Sequence, residues 1–206
     1  MALAGCQKNE IVSTTGTAKA KLDGTNEVDV TWVQLWAGGP KWATINVGVT
    51  DVSATGAAAY GGLYRWGGTN NMRSNTSASD DHNTGSDVLS GTDDTATNLW
   101  GSNWRMPTSA EFQGLIDNCT WSTFSHGHTI TGKGDYASNS IFLPAAGYFD
   151  CLNEFVDGAG AHGYCWSSTP NGSSNAFGLY LYSGYHIVLD DLGRDYGFSM
   201  RAVLVD

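Results

Sequence analysis

The most regular alternation of apolar and polar positions lies towards the C-terminal end of the chain. In residues 179–190, apolar side chains recur at every second position on either side of a Ser183-Gly184 turn. Such alternation around a glycine-containing turn predicts a β-hairpin. We expect its leucines and its isoleucine to face the core. The side chains expected to face outwards are Tyr180, Tyr182, His186, Val188 and Asp190.

Weaker alternation predicts strands elsewhere in the chain. Residues 28–36 predict a strand that the Gly38-Gly39-Pro40 break terminates, and residues 41–47 predict a second one. Residues 198–204 alternate again, and we expect them to return as a strand in the middle of the sheet.

One helix is marked by a clear start signal. Thr108 and Glu111 have the spacing of a capping box, in which each side chain satisfies a backbone amide of the first turn. The chain after them predicts a helix of about three turns with one apolar face. The apolar residues of that face are Phe112, Leu115, Ile116 and Cys119.

Residues 70–98 consist almost entirely of Asn, Ser, Thr, Asp and Gly, and this composition predicts a long polar loop. Several of its side chains could suggest a calcium site, but their spacing lacks the D-x-[DN]-x-[DN]-G pattern with a terminal glutamate. A solvated acidic loop is therefore the better interpretation. The side chains concerned are Asp80, Asp81, His82, Asp87, Asp93 and Asp94.

Composition indicates the fold class of the protein, and its charge excludes some classes of partner. The chain has 206 residues, with 27 glycines, 12% aromatic residues and only 15% charged residues, which favours one loop-rich β or α+β domain. The net charge is −10 and the ten basic residues are scattered singly. Because phosphate binding needs a clustered basic face, nucleic acid and anionic membrane surfaces are not expected partners.

The first residues include a four-residue motif that resembles part of a targeting signal. Leu3-Ala4-Gly5-Cys6 resembles the lipobox of bacterial lipoproteins, in which the cysteine is lipidated after cleavage. No apolar segment precedes it, so a complete signal peptide is not expected in this sequence. Residues 1–27 would then form a tether and residues 28–206 the folded domain. This predicts an envelope or extracellular location, with membrane contact only through a lipid on Cys6.

The other cysteines predict no metal site. Cys151 and Cys165 could form a disulfide in an export compartment, which their spacing leaves open. No C-x-x-C motif occurs, so we expect neither zinc nor any other cofactor.

Four blocks of sequence carry a resemblance to a known family: WRMPTSAEFQGLIDNCTW, SIFLPAAGYF, GYCWSST and GFSMRAV, in that order. Together with LWAGGPKWATINVG, they resemble the Fibrobacter succinogenes major paralogous domain family across residues 28–203. The resemblance implies a C-type-lectin-like fold of the formylglycine-generating-enzyme branch. This is an α+β fold of mixed short strands, one or two helices and long loops.

A subset of such domains in gut Bacteroidetes are variable proteins of diversity-generating retroelements, whose reverse transcriptase mutates adenines, chiefly in asparagine codons. Residues 174–197 contain none of the five residue types that this mutagenesis does not reach: Lys, Glu, Gln, Trp and Met. The resemblance therefore implies a surface-displayed protein that binds an unknown protein or glycan through a hypervariable C-terminal face. The residues predicted to contact the ligand are Phe177, Tyr180, Tyr182, Tyr185, His186, Val188, Asp190, Asp191, Leu192 and Asp195.

Catalytic functions have less support in the sequence than binding. His162, Cys165 and the neighbouring serines could in principle supply a base and a nucleophile, but no G-x-S-x-G elbow accompanies them. The loop corresponding to the oxidase site of formylglycine-generating relatives, Tyr196–Arg201, has no cysteine, and the calcium-dependent sugar motifs of lectins do not occur. We therefore expect no enzyme activity. Two alternatives stay open: a structural or adhesive envelope lipoprotein without a specific ligand, and an inactive relative of the oxidases.

Overall fold

The computed structural model describes residues 13–22, 24–75, 82–124 and 126–205, and over these ranges the protein is a mainly β, α+β structure. Its two α-helices are α1 (Thr95–Trp100) and α2 (Ser109–Asn118), and no helix in the described part has the length and apolarity needed to cross a membrane. The strands are β1 (Thr15–Lys21), β2 (Glu27–Gln34), β3 (Lys41–Ala43), β4 (Trp104–Arg105), β5 (Thr120–Phe124), β6 (Gly127–Thr131), β7 (Ser140–Pro144), β8 (Tyr148–Asp150), β9 (Phe155–Asp157), β10 (His162–Asn171), β11 (Asn175–Tyr182), β12 (Tyr185–Gly193) and β13 (Val203–Leu204).

A five-stranded sheet has the order β1-β2-β3-β13-β4. The strand β1 pairs antiparallel with β2 over its full length, and its Ala20 is fully buried. Residues 15–21, which the sequence placed in the tether, therefore belong to the folded domain. Cys6, the predicted lipidation site, lies outside the described residues.

The C-terminal strand lies within this sheet, as predicted, but it is short. Val203 pairs with Trp42 on one side and with Arg105 on the other. Upstream of it, Phe198 and Ser199 make single bridges to Tyr64 and Cys165 instead of joining a ladder. Residues 198–203 are all buried, so the alternation of apolar and polar residues in this segment marks no exposed face, and only Val203 and Leu204 form regular strand.

The predicted C-terminal hairpin is confirmed and belongs to a three-stranded sheet of order β10-β11-β12. Its turn consists of Ser183 and Gly184, which both have positive φ angles, 32° and 84°. Two-residue turns of this kind match the twist of the strands and fix their register. Accordingly, Tyr182 lies directly opposite Tyr185, and Leu181 lies opposite His186.

This register corrects the predicted facing of β12. Residues directly opposite in an antiparallel pair point to the same face of the sheet. His186 and Val188 therefore share the face of Leu181 and Leu179, which are fully buried, whereas Ile187 shares the face of Tyr180. The prediction placed the odd-numbered residues of both strands inwards. A two-residue turn instead sets the odd-numbered Leu179 and Leu181 of β11 opposite even-numbered residues of β12, so those even-numbered residues face inwards.

The capping box of α2 is confirmed. The Thr108 hydroxyl accepts a hydrogen bond from the Glu111 amide at 3.2 Å, and the Glu111 carboxylate accepts one from the Thr108 amide at 2.7 Å. Arg105 donates to both carboxylate oxygens of Glu111. Phe112 and Leu115 are fully buried, and Phe112 stacks on Trp42 with ring centroids 5.6 Å apart.

The polar segment of residues 70–98 is more structured than its composition predicts. Met72 and Leu89 are buried, and the Leu89 amide donates to the carbonyl of Ser168. Asp94 caps α1, which begins at Thr95 inside the predicted loop, and its buried carboxylate accepts from the amides of Thr97 and Met106. Asp94 is therefore already satisfied by backbone amides. Asp80 and Asp81 lie outside the described residues.

Two buried arginines connect distant segments through backbone carbonyls. Arg194 lies over the Trp66 ring, 4.0 Å from its centroid, and donates to the carbonyls of Asn175, Asn83 and Gly172. Arg201 donates to Asn46 Oδ1 and to the carbonyls of Ala43 and Phe142. Burial lowers the pKa of Arg201 to about 10, which still leaves its guanidinium charged at neutral pH.

Candidate functional site

One face of the β10-β11-β12 sheet carries a continuous row of aromatic rings. The registers place His162 opposite Tyr182 and Tyr182 opposite Tyr185, and likewise Tyr164 opposite Tyr180. Because opposite residues share a face, these five rings point the same way. The row continues beyond the sheet into three further rings. We call this set the aromatic face: Tyr148, His162, Tyr164, Tyr180, Tyr182, Tyr185, Tyr196 and Phe198.

The rings of the aromatic face contact one another directly. His162 stacks on Tyr182 with centroids 4.6 Å apart, and Tyr164 lies 4.7 Å from Tyr180. The Tyr180 hydroxyl and His162 Nδ1 are hydrogen-bonded at 2.9 Å. These contacts limit the rotamers open to the rings, which lowers the entropic cost of presenting them to a ligand.

Exposure on this face falls from the hairpin tip towards the core. Tyr182 and Tyr185 are 45% and 54% exposed, Tyr164 and Tyr180 are half-buried, and Phe198 is buried. The opposite face of the same sheet, with Cys165, Leu179 and Leu181, is buried against α2 and β6. The tip of the hairpin is therefore the accessible part of the aromatic face.

The inner end of the aromatic face forms a pocket of about 320 Å³. Tyr148 stands at 72° to the rings of both Tyr164 and Phe198, whereas Phe198 lies within 17° of Tyr164 and 22° of Tyr196. The aromatic lining of the pocket thus contains rings in two orientations. Its complete lining is Tyr148, Tyr164, Asp191, Leu192, Gly193, Tyr196 and Phe198.

Acidic groups surround this pocket. The Tyr148 hydroxyl donates to Asp157 at 3.2 Å, and Cys151 Sγ donates to Asp195 at 3.0 Å. Burial, together with the charges of Asp157 and Asp150, raises the pKa of Tyr148. Burial, the Cys151 sulfur and the charges of Asp150 and Asp195 raise the pKa of Tyr196 in the same way. Both phenols are therefore neutral at physiological pH and lie in a field of negative sign.

A β-bulge brings one further carboxylate to the pocket. Gly178 lies opposite Leu189 and Ala176 opposite Leu192, so β12 has one more residue than β11 over this stretch. Bulges bend a strand locally and redirect its side chains. Here the bulged stretch carries Asp191, which is exposed and lines the pocket, and then buried Leu192.

The predicted ligand-contacting residues do not all lie together. Tyr180, Tyr182 and Tyr185 lie on the aromatic face, and Asp191 borders it. His186 and Val188 lie on the opposite face, contrary to prediction, because of the hairpin register. Phe177 and Asp195 are half-buried, Leu192 is packed in the core, and the side chain of Asp190 lies outside the part of the chain that the structure describes.

Sequence reasoning missed five members of the aromatic face as ligand contacts: Tyr148, His162, Tyr164, Tyr196 and Phe198. His162 and Tyr164 alternate with Gly163 and Cys165 on β10, and this period of two could have indicated a second aromatic strand. Tyr148 and Tyr196 arrive from separate elements and share no local pattern with the hairpin. Only the tertiary structure brings them beside it.

The groups that could suggest catalysis are separated. His162 and Cys165 lie on β10 at positions of opposite parity, so they point to opposite faces of the sheet. Cys165 is fully buried, and burial raises the pKa of its thiol to about 11. The hydroxyls of Ser167 and Ser168 donate to the carbonyls of Phe177 and Pro107. Cys151 and Cys165 are both free thiols.

A larger cleft of about 540 Å³ lies elsewhere, between the end of β3, the Thr55–Tyr60 segment and β7. Its walls are mainly apolar, with Ile45, Ala54 and Phe142 among them, and the Arg201 guanidinium that reaches it already has three acceptors. No group of three metal-ligating side chains occurs in the part of the chain that the structure describes. The aromatic face is therefore the better candidate for a specific site.

Comparisons of the chain with family models, with curated proteins and with solved structures find no match. The structure itself shows a mainly β, α+β protein with an aromatic sheet surface bordered by carboxylates.

Proposed function

We propose that this protein is a surface-displayed ligand-binding protein of C-type-lectin-like fold, and that the tip of its aromatic face contacts a protein or glycan. The observation that carries the proposal is the set of mutually stacked rings on one accessible sheet face. Tyrosine offers a large, rigid contact area at low entropic cost, which is why binding sites favour it. A contiguous exposed aromatic patch is also unusual for a surface without a partner.

The proposal includes diversification of this face by a retroelement. Its support is the division of roles along the predicted variable region, residues 174–197. Tyr182, Tyr185 and Asp191 are exposed and lie outside the buried core, so the core does not depend on their identity. Leu179 and Leu181 are fully buried and must stay apolar. Diversification by a retroelement requires contact residues that vary on a scaffold that stays constant.

A pair of displayed libraries tests the proposal with a probe protein in place of the natural ligand. One library randomises Tyr182, Tyr185 and Asp191, and the matched library randomises Leu179, Leu181 and His186. We expect most members of the first library to resist protease and to yield binders to a purified probe protein such as streptavidin. Most members of the second library should be cleaved. Equal protease sensitivity in the two libraries, or no binders in the first, would contradict the proposal.

A genomic observation tests the diversification separately. We expect a second, non-coding copy of the segment for residues 174–197 near the coding region, differing from it at adenines and adjacent to a reverse transcriptase gene. Without that copy the ligand-binding proposal can stand, but diversification of the face cannot.

A further inference from the structure

We infer that the pocket at the inner end of the aromatic face binds a quaternary ammonium group. This inference rests on the proposed function and deepens it, because it names the chemistry recognised at one end of the same face. Four of the seven lining residues are aromatic, and the carboxylate of Asp191 stands at the rim. Its volume of about 320 Å³ lies at the lower end of the range for small-ligand sites, roughly 300–1,000 Å³.

Ring orientation favours a cation. The face of an aromatic ring carries negative potential, and a cation within about 6 Å of the ring centroid is attracted to it. Tyr164 and Phe198 stack on each other, and Tyr148 stands at 72° to both, outside that stack, so we assign the face of Tyr148 as the ring surface that meets the cation. A neutral apolar group would gain burial there but not this electrostatic attraction.

The surrounding charge strengthens the same preference. Asp191 lines the pocket, and Asp157 accepts from the Tyr148 hydroxyl. Asp195 immediately precedes Tyr196, and its carboxylate accepts from Cys151. The whole chain carries a net charge of −10. A positively charged ligand is thus favoured both at long range and at the rim.

The apolar character of the walls favours a quaternary over a primary ammonium. Four of the seven lining residues are aromatic and Leu192 is aliphatic, so most of the wall is carbon. A primary ammonium brings three N–H donors that need acceptors on desolvation, whereas a methylated ammonium brings none. Walls made mainly of carbon suit the methylated group.

The test is a titration of the full chain with choline, followed by calorimetry or by NMR shifts of the tyrosine ring protons. The matched probe is 3,3-dimethylbutanol, which has the same shape without the charge. We expect saturable binding of choline and of tetramethylammonium, and none of the neutral alcohol or of the ammonium ion. Equal binding of choline and its neutral isostere, or no saturable binding of choline, would overturn the inference.

Variants separate a cation site from a merely apolar pocket. Tyr148→Phe keeps the ring and should keep binding, whereas Tyr148→Leu should weaken it roughly two- to thirty-fold, the range for loss of one cation–π contact. Asp191→Asn should weaken it about two- to five-fold at low salt, as expected for one exposed charge. Tyr185→Leu, a ring outside the pocket, should change nothing. If Tyr148→Leu binds as well as Tyr148→Phe, the inference is wrong; thermal unfolding of each variant confirms that it is folded.

Two further arms identify the source of the group and separate this inference from the proposed function. Phosphocholine and a peptide with trimethyl-lysine both carry a trimethylammonium group. Tighter binding of phosphocholine would indicate a lipid or glycan headgroup as the source, and tighter binding of the peptide would indicate a modified protein. If choline fails to bind while the first library still yields streptavidin binders, only this inference fails. If choline binds and no binders emerge, the proposed function of the hairpin tip fails instead.

Discussion

The imidazole of His186 lies flat on the indole of Trp121, with ring centroids 4.1 Å apart and planes within 6° of each other. Trp121 lies in β5 and donates through Nε1 to the carbonyl of Leu115 in α2. A residue of the predicted variable hairpin is thus fixed through Trp121 to the helix that supports the sheet. His186 therefore differs from the exposed tyrosines beside it, although the sequence grouped them together.

His186→Ala should destabilise the protein, whereas Tyr185→Ala should not. The stacked pair contributes about 0.5–1.5 kcal/mol beyond its buried area, so we expect a total loss of roughly 1–2 kcal/mol for His186→Ala. Tyr185 is 54% exposed, and its removal should change the free energy of unfolding by less than about 0.5 kcal/mol. Urea denaturation measures both. If the two variants lose the same free energy of unfolding, His186 and Tyr185 have the same role in stability, and the predicted difference between them is wrong.

Stability should fall as the pH drops below about 6.5, because of His128 and His186. Burial, and for His128 also the nearby charge of His186, lowers both pKa values below the ordinary 6.5. The Nδ1 atoms of both rings are buried, and neither has a hydrogen-bond partner among the residues that the structure describes. The unfolded chain therefore takes up protons first, and the stability present above pH 6.5 is lost as the pH falls towards the folded pKa values.

The measurement is the melting temperature between pH 7.5 and 5, compared with that of the double variant His128→Gln, His186→Gln. Among the described residues, the strand partners of the two histidines are Thr123, Leu143 and Leu181, and Trp121 packs against both rings; none of these four side chains is charged. The Glu111 carboxylate, whose pKa lies below its usual 4.5 because the Arg105 and Thr108 contacts outweigh burial, acts only at lower pH. If the melting temperature of the double variant falls with pH as steeply as that of the unchanged protein, other groups cause the acid sensitivity.

Arg201→Leu should be among the most damaging single substitutions in the described core. The guanidinium is fully buried and satisfies three acceptors, which the apolar side chain would leave unpaired at about 1–3 kcal/mol each. Arg201→Lys keeps the charge but lacks the planar fork, so we expect an intermediate loss. Lys19→Ala, which removes an exposed ion pair to Asp29, is the control and should cost less than about 1 kcal/mol. A Lys19→Ala loss as large as that of Arg201→Leu would refute this role for Arg201.

Cys151 and Cys165 should remain reduced and react slowly with thiol reagents in the native protein. Burial raises the pKa of Cys165 to about 11, and burial together with Asp195 raises that of Cys151 to about 12. Because the thiolate is the reactive form, iodoacetamide at pH 8 should label both far more slowly than in urea. Mass spectrometry of peptides from unreduced protein should find no link between them, and a linked peptide would contradict the structure.

The features that the sequence predicted best depend on neighbouring residues. The capping box of Thr108 and Glu111 and the turn at Ser183-Gly184 involve residues within three positions of each other, so their pattern survives any tertiary arrangement. Residues 15–21 were missed as a strand because β1 is an edge strand, whose polar side chains show little apolar periodicity and whose pairing depends on β2. Helix α1 was missed because a polar segment surrounds it and its cap, Asp94, is buried only by the fold.

The sequence by itself determined that a tyrosine-rich hairpin lies near the end of the domain, since alternation and a turn are local properties. It did not determine which side chains of β12 face outwards, because that depends on which residues lie opposite each other across the turn. The tertiary structure alone decided that His186 stacks on Trp121 and that Tyr148 and Tyr196 join Tyr164 around a pocket. Contacts between residues distant in the chain form only when burial of the whole core offsets the entropy of bringing them together.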